Sequence, residues 1–94
     1  MAQAHWNDRL IASTDTFEEV EGNVYFPPDA VDRTFLRPSS QTTVCPWKGT
    51  AHYYDVVVGD RVNPGAAWYY PDPKPAARQI KDHIAFWKGI TVTR

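Results

Sequence analysis

The sequence predicts a mainly β fold of antiparallel strands with one or two short helices. Short runs of strand-forming residues alternate with turn-forming dipeptides, and Tyr, Val and Trp are concentrated in the middle of the chain. This composition is typical of a partly buried pleated surface. The dipeptides that predict turns are Asn7-Asp8, Gly22-Asn23, Gly59-Asp60 and Lys88-Gly89.

The first third of the chain predicts four short strands in two hairpins. The Asn7-Asp8 and Gly22-Asn23 dipeptides each lie between runs suited to strand pairing. The strands are expected near Ala2–Trp6, Arg9–Ser13, Phe17–Glu21 and Asn23–Phe26.

Two prolines, Pro27 and Pro28, end this run because proline cannot donate to a strand ladder. Asp29 is expected to cap one or two helical turns that continue to Arg33. The segment Phe35–Thr43 contains a proline and five consecutive polar residues, which predicts a packed surface loop.

A central hairpin is predicted around Gly59-Asp60, a dipeptide that suits a two-residue type II′ turn. An uninterrupted register would place Val58 opposite Arg61 and His52 opposite Ala67. The Asn63-Pro64-Gly65 segment predicts a bulge in the returning strand, which would shift the register by one residue and reverse the facing of the side chains.

After Tyr70, the prolines of Pro71–Pro75 predict an extended or turning path, followed by a short helix over Ala76–Lys81. Ile80 and one of the neighbouring alanines are expected to face the core. Two final strands are predicted at His83–Trp87 and Ile90–Thr93, paired as a hairpin around Lys88-Gly89.

Composition indicates a small cytoplasmic domain. The 94 residues suffice for a single domain spanning 1–94. The formal net charge of -1 predicts neither nucleic-acid binding nor attraction to an anionic membrane. With one cysteine, Cys45, no internal disulfide is expected, which suits a reducing compartment. The first residues do not resemble a signal peptide, and no apolar run reaches membrane-spanning length.

The candidate site consists of two aromatic and polar segments, Cys45–Tyr54 and Ala67–Ala76, which the central hairpin would place side by side. Lys48 lies between a tryptophan and a glycine, and this arrangement could hold an anion. The main hypothesis is a pocket for a small polar or anionic ligand. Its binding residues would be Trp47, Lys48, His52, Trp68 and Asp72, with both tryptophans more than half buried.

Two alternatives remain open from the residues. An enzyme could use Cys45 as a nucleophile with His52 or His83 as base, or Asp72 as an acid or base, with Lys48 stabilising negative charge. A protein-interaction module could use exposed aromatic residues as its contact surface. No ligand spacing supports a metal site, and neither a metal nor another cofactor is predicted. The oligomeric state is left open.

The same segments resemble a known family, the small bacterial proteins called domain of unknown function 427. The matching pieces are Glu21–Pro28, Cys45–Tyr54, Ala67–Ala76 and His83–Phe86, so the resemblance extends over nearly the whole chain. It implies a compact, coiled all-β fold of the β-tent type and no settled activity, although the family is sometimes labelled nucleotidyltransferase-like. Clustered carboxylates and a phosphate-binding glycine loop, which that chemistry usually needs, are not evident. β-Tent relatives often hold zinc between cysteine pairs, whereas this chain has one cysteine.

Overall fold

A computed structural model describes residues 1–94 and contains nine strands and three short 3-10 helices. The strands are β1 (Ala2–Trp6), β2 (Arg9–Thr14), β3 (Glu18–Val20), β4 (Asn23–Tyr25), β5 (Leu36–Cys45), β6 (Gly49–Val58), β7 (Arg61–Tyr69), β8 (Ile84–Phe86) and β9 (Thr91–Thr93). The helices span Pro28–Ala30, Arg33–Phe35 and Pro75–Ile80. The predicted mainly β class is confirmed.

The strands form three antiparallel sheets. One sheet has the order β2-β1-β9, a second is the β3-β4 hairpin, and the third has the order β5-β6-β7-β8. The second and third sheets are connected by the main chain of Phe26, which exchanges two hydrogen bonds of 2.8 and 2.9 Å with Ile84 in β8. The structure contains no helix with the length and apolar character needed to cross a lipid bilayer.

The two N-terminal hairpins form as predicted, with one change in the second turn. Asn7 and Asp8 connect β1 to β2 in the left-handed conformation, with φ values of 50° and 63°. The turn between β3 and β4 is made by Glu21 and Gly22, with φ values of 55° and 80°. The prediction of a Gly22-Asn23 turn is therefore wrong by one residue, and Glu21 lies in the turn rather than in a strand.

The segment that follows the β3-β4 hairpin differs from the prediction. Asp32, not Asp29, caps a 3-10 helix, because its carboxylate accepts a 3.0 Å hydrogen bond from the Thr34 main-chain N–H. The predicted loop Phe35–Thr43 is wrong, since Leu36–Cys45 is strand β5. β5 is an outer strand whose residues are mostly exposed, so polar side chains there are not desolvated, and Pro38 lies at an irregularity in the pairing.

The central hairpin is confirmed, and so is its bulge. Val58 pairs with Arg61, and the turn between them is Gly59-Asp60. The register then shifts between Tyr54 and Val56, so that His52 lies opposite Tyr69 rather than Ala67. The register changes by two residues rather than the predicted one. Each side chain therefore stays on the face of the sheet that the uninterrupted register would give it.

The C-terminal segment contains the predicted helix and strands but not the predicted hairpin. Ala77 and Ile80 are buried, as expected for the inner side of the Pro75–Ile80 helix. Lys88 and Gly89 do form a turn, with φ values of 56° and 89°. However, β8 pairs with β7 and β9 pairs with β1. The turn thus passes the chain from one sheet to another.

Buried side chains form two clusters, and alternate residues of β6 belong to different ones. Val56 and Val58 belong to the larger cluster, which Tyr54 also contacts. Ala51 and Tyr53 belong to the smaller cluster. Because neighbouring strand residues point to opposite faces, the long sheet has buried surface on both sides.

The two segments that define the candidate site lie side by side, as predicted. The main-chain N–H of Lys74 donates a 2.9 Å hydrogen bond to the Lys48 carbonyl, and the Lys74 ammonium donates a 2.6 Å bond to the Pro46 carbonyl. Gly49 has a φ of +116°, and a Cβ at this position would lie 3.3 Å from the Asp72 carbonyl oxygen. Glycine therefore permits the close approach of the two segments.

We expect Gly49→Ala to destabilise the protein more than Gly59→Ala. Both glycines have positive φ, but a Cβ at Gly59 meets no atom within 4 Å. Gly59→Ala should cost about 1–2 kcal/mol for the left-handed conformation, and Gly49→Ala about 1 kcal/mol or more beyond that because a neighbouring main chain must also move. Urea denaturation of both variants measures the difference. Equal losses of stability in the two variants would contradict the close approach of Gly49 to the main chain of Asp72.

Candidate functional site

An open cleft of about 300 Å³ lies beside the smaller buried cluster. Four of its six lining residues are aromatic, one is a lysine and one is an amide. They are Asn23, Lys48, Tyr53, Trp68, Tyr70 and Trp87. This cleft, called here the tryptophan cleft, has the mixture of apolar walls and few polar groups that small-molecule sites usually have.

Two tryptophans with fixed orientations contribute to the tryptophan cleft. The rings of Trp68 and Trp87 meet edge to face, with centroids 5.8 Å apart. The Trp68 indole N–H donates a 3.1 Å hydrogen bond to the Tyr25 hydroxyl, and the Trp87 indole N–H donates a 2.7 Å bond to the Gly65 carbonyl. Because each indole already has a polar partner, the rings can offer apolar surface without leaving an N–H unsatisfied.

Two tyrosines complete the aromatic lining. The Tyr53 hydroxyl shares a 2.9 Å hydrogen bond with the Thr43 hydroxyl of the outer strand β5. Tyr70 follows β7 and is 4% exposed. Burial raises the pKa of the Tyr70 phenol, although the nearby Lys48 ammonium acts in the opposite direction. Tyr70 is therefore a neutral hydroxyl at physiological pH.

Lys48 places a buried charge at the tryptophan cleft. It is the one charged or polar residue among the buried residues and is 6% exposed. Its ammonium donates to the Glu21 carboxylate and lies 5.6 Å from the centre of the Trp47 ring and 5.5 Å from that of Tyr70. An ion pair and two aromatic faces thus compensate for the water that Lys48 loses on burial.

The ionisation of Lys48 and Glu21 follows from this arrangement. Burial alone lowers the pKa of the Lys48 ammonium, but the Glu21 hydrogen bond and the nearby tyrosines outweigh it and raise the pKa above 10.5. The hydrogen bond from Lys48 and its positive charge lower the pKa of the Glu21 carboxyl below 4.5. Both groups are therefore charged across the physiological pH range.

Three of the predicted ligand-binding residues lie together. Lys48 and Trp68 line the tryptophan cleft, and Trp47 contacts the Lys48 ammonium. Trp47 is 39% exposed and Trp68 is less exposed, so the expectation that both are more than half buried is confirmed.

The other two predicted ligand-binding residues lie elsewhere. His52 and Tyr69 are paired across the hairpin, next to the pair of Tyr53 and Trp68, and neighbouring pairs point to opposite faces. His52 therefore packs against Tyr69, with ring centroids 5.8 Å apart, on the face away from the tryptophan cleft. Asp72 is exposed, and the ion partner of Lys48 is Glu21 instead.

The catalytic candidates do not form a compact constellation. Cys45 is a half-buried free thiol that packs against the smaller cluster, whereas His52 faces the other side of the sheet. His83 donates a 2.9 Å hydrogen bond from Nδ1 to the Lys81 carbonyl. No three histidine, cysteine, aspartate or glutamate side chains come together as a group that could hold a metal ion.

Sequence reasoning missed Glu21, Asn23 and Trp87 as members of the site. Glu21 is separated from Lys48 by 27 positions and reaches it from the β3–β4 turn. The available signal was the placement of a charged residue beside Gly22, where a turn would project it outward. Trp87 follows β8, whose pairing with β7 brings it beside Trp68.

We expect Glu21→Gln to destabilise the protein at neutral pH, because it removes the charge that compensates the buried Lys48 ammonium. The pKa of Glu21 is lowered in the folded state. The stability that the ionised carboxylate contributes is therefore fully present above pH 4.5 and is lost as the pH falls through the pKa of the folded state. Urea denaturation from neutral pH into the acid range below pH 4.5 should therefore give a difference in the free energy of unfolding between wild type and variant that narrows as the pH falls.

The matched control is Glu19→Gln, which alters a half-exposed pair with Arg94 on the same hairpin. Surface ion pairs contribute little to stability, so the free energy of unfolding of this variant should stay close to that of wild type at neutral pH. A loss from Glu19→Gln that equals the loss from Glu21→Gln would contradict a special role for the Lys48 pair.

Comparison with known proteins identifies the family. A comparison with curated proteins gave no match. A family model described as Domain of unknown function (DUF427) matches residues 1–93, which include both segments of the site and the Glu21 turn. The predicted resemblance is confirmed, and the chain belongs to the DUF427 family.

Proposed function

We propose that this protein binds a small planar organic molecule in the tryptophan cleft, with a polar or anionic group of the ligand directed to Lys48. The observation that carries the proposal is a nearly buried ammonium beside four aromatic rings in an open cleft of about 300 Å³. Lysine side chains are rarely buried, and a buried ionisable group in a cleft is a candidate for ligand recognition.

The aromatic lining favours a planar ligand. Trp68, Trp87, Tyr53 and Tyr70 line the tryptophan cleft, and the two indole N–H groups are already bonded to protein oxygens. The walls therefore offer mainly ring edges and faces, which pair with other aromatic rings in offset or edge-to-face arrangements. A ring inserted here would remove apolar surface from water on both partners.

The polar lining favours a ligand that accepts hydrogen bonds. The Lys48 ammonium has three N–H donors, and its protein acceptor is one carboxylate, that of Glu21. Asn23 adds a half-buried amide at the edge of the same cleft. Charge-assisted hydrogen bonds are stronger than neutral ones, so Lys48 would orient the polar end of a ligand.

A protein partner is the second candidate. Trp47 and Trp87 are 39% and 44% exposed, and both lie at or beside the tryptophan cleft. Exposed tryptophans are enriched among the residues that dominate protein interfaces. A partner would then insert an aromatic or carbonyl-bearing side chain into the cleft. We place either partner in the cytoplasm, since the free thiol of Cys45 suits a reducing compartment.

The direct test follows the four tryptophan indole N–H signals by ¹⁵N NMR during titration with two-ring aromatic compounds. We expect the Trp68 and Trp87 signals to move with indole-3-carboxamide or indole-3-carboxylate. Trp6 lies on β1 in another sheet, and its signal should not move. Binding should also raise the melting temperature. Titrations in which Trp6 moves as much as Trp68, or in which no indole signal moves, would overturn the proposal.

A Lys48→Met variant separates folding from binding. The variant replaces the buried cation by an apolar side chain of similar length, and it should fold because the carboxylate left behind, Glu21, is 52% exposed and can be hydrated. Ligand affinity should fall about 10- to 100-fold, as expected for loss of a hydrogen bond to a charged group. Unchanged affinity in a folded Lys48→Met protein would contradict the role of the ammonium.

A further inference from the structure

We infer that the ligand of the tryptophan cleft carries a carboxylate, which takes the place that the Glu21 carboxylate holds on Lys48 and Trp47. This inference rests on the proposed function and specifies the chemical class of the ligand. It assigns Glu21 a role as an internal competitor for the site.

The donors around Glu21 form a site for a carboxylate. The Lys48 ammonium donates to Oε1 of Glu21, and the Trp47 indole N–H donates to Oε2 at 3.4 Å. Each oxygen of the carboxylate therefore has its own donor. A ligand carboxylate has the same two acceptor oxygens at the same spacing, so it can use both donors at once.

The two partners of the ion pair differ in how firmly they are held. The Lys48 side chain is 8% exposed, and its carbonyl accepts the 2.9 Å main-chain bond from Lys74. The Glu21 side chain is 52% exposed and belongs to a two-residue turn between strands of three residues each. Glu21 can therefore rotate into water when another anion replaces it, whereas Lys48 stays buried and needs an anion.

Charge balance favours exchange over addition. If a ligand carboxylate entered while Glu21 stayed in place, two carboxylates would share one ammonium at reduced dielectric, and their repulsion would oppose binding. If Glu21 leaves, the count of paired charges around Lys48 is unchanged. A neutral amide offers no charge to replace that of Glu21, so it binds beside the intact pair.

Competition by Glu21 predicts tighter carboxylate binding when Glu21 is neutralised. In Glu21→Gln we expect indole-3-carboxylate to bind about tenfold more tightly than in wild type, while indole-3-carboxamide binds about equally to both. The readout is the dissociation constant from the Trp68 indole N–H titration. Glu19→Gln is the control, because it changes the same charge on the same hairpin at a pair with Arg94.

A second measurement uses the wild-type protein and does not depend on the folding of a variant. The pKa of Glu21, followed by its carboxyl ¹³C shift, should rise toward its ordinary value of 4.5 when indole-3-carboxylate saturates the cleft. With indole-3-carboxamide it should stay lowered.

The outcomes distinguish the two proposals. If the carboxylate binds wild type and Glu21→Gln equally, or the pKa of Glu21 stays lowered in the complex, Glu21 is not displaced and the inference is overturned, while the proposed function stands. If neither compound moves the Trp68 and Trp87 signals in wild type or variant, the proposed function fails and the inference fails with it.

Discussion

The buried ammonium of Lys48 is the constraint on which the rest of the site depends. A cation that is 6% exposed requires a counter-charge and polarisable neighbours, and Glu21, Trp47 and Tyr70 supply them. This requirement links three separate parts of the chain: the β3–β4 turn, the loop before β6 and the segment after β7. The aromatic residues beside Lys48 then form a cleft rather than a closed core.

The main chain fixes Lys48 in that position. Its carbonyl accepts from Lys74, and the next residue, Gly49, has a φ of +116°. This conformation interrupts the alternation of side chains at the start of β6. Lys48 consequently lies with Tyr53 at the tryptophan cleft, whereas His52 lies on the other face of the sheet. Glycine, which lacks a Cβ, adopts this conformation and permits the contact with Asp72.

Local signals in the sequence predicted the local structure well. The Asn7-Asp8 and Gly59-Asp60 turns, the bulge near Pro64 and the proximity of the two site segments all follow from residues close in sequence or from one hairpin. Non-local pairing was not predictable in this way. Strand β5 is an outer strand with a polar composition that local rules assign to a loop, and β9 pairs with β1 across the whole chain. The partner of Lys48 was missed for the same reason, because Glu21 is 27 residues away.

The sign of the pKa shift of Lys48 tests the central claim most directly, because burial and ion pairing act on it in opposite directions. Burial without a partner lowers the pKa of an ammonium, whereas a close carboxylate raises it. We expect NMR titration of the Lys48 side-chain nitrogen, assigned with Lys48→Met, to give a pKa above the ordinary lysine value of 10.5. The stability that Lys48 contributes would then be complete below that pH and lost as the pH rises through the folded value. A Lys48 pKa at or below 10.5 would contradict the account.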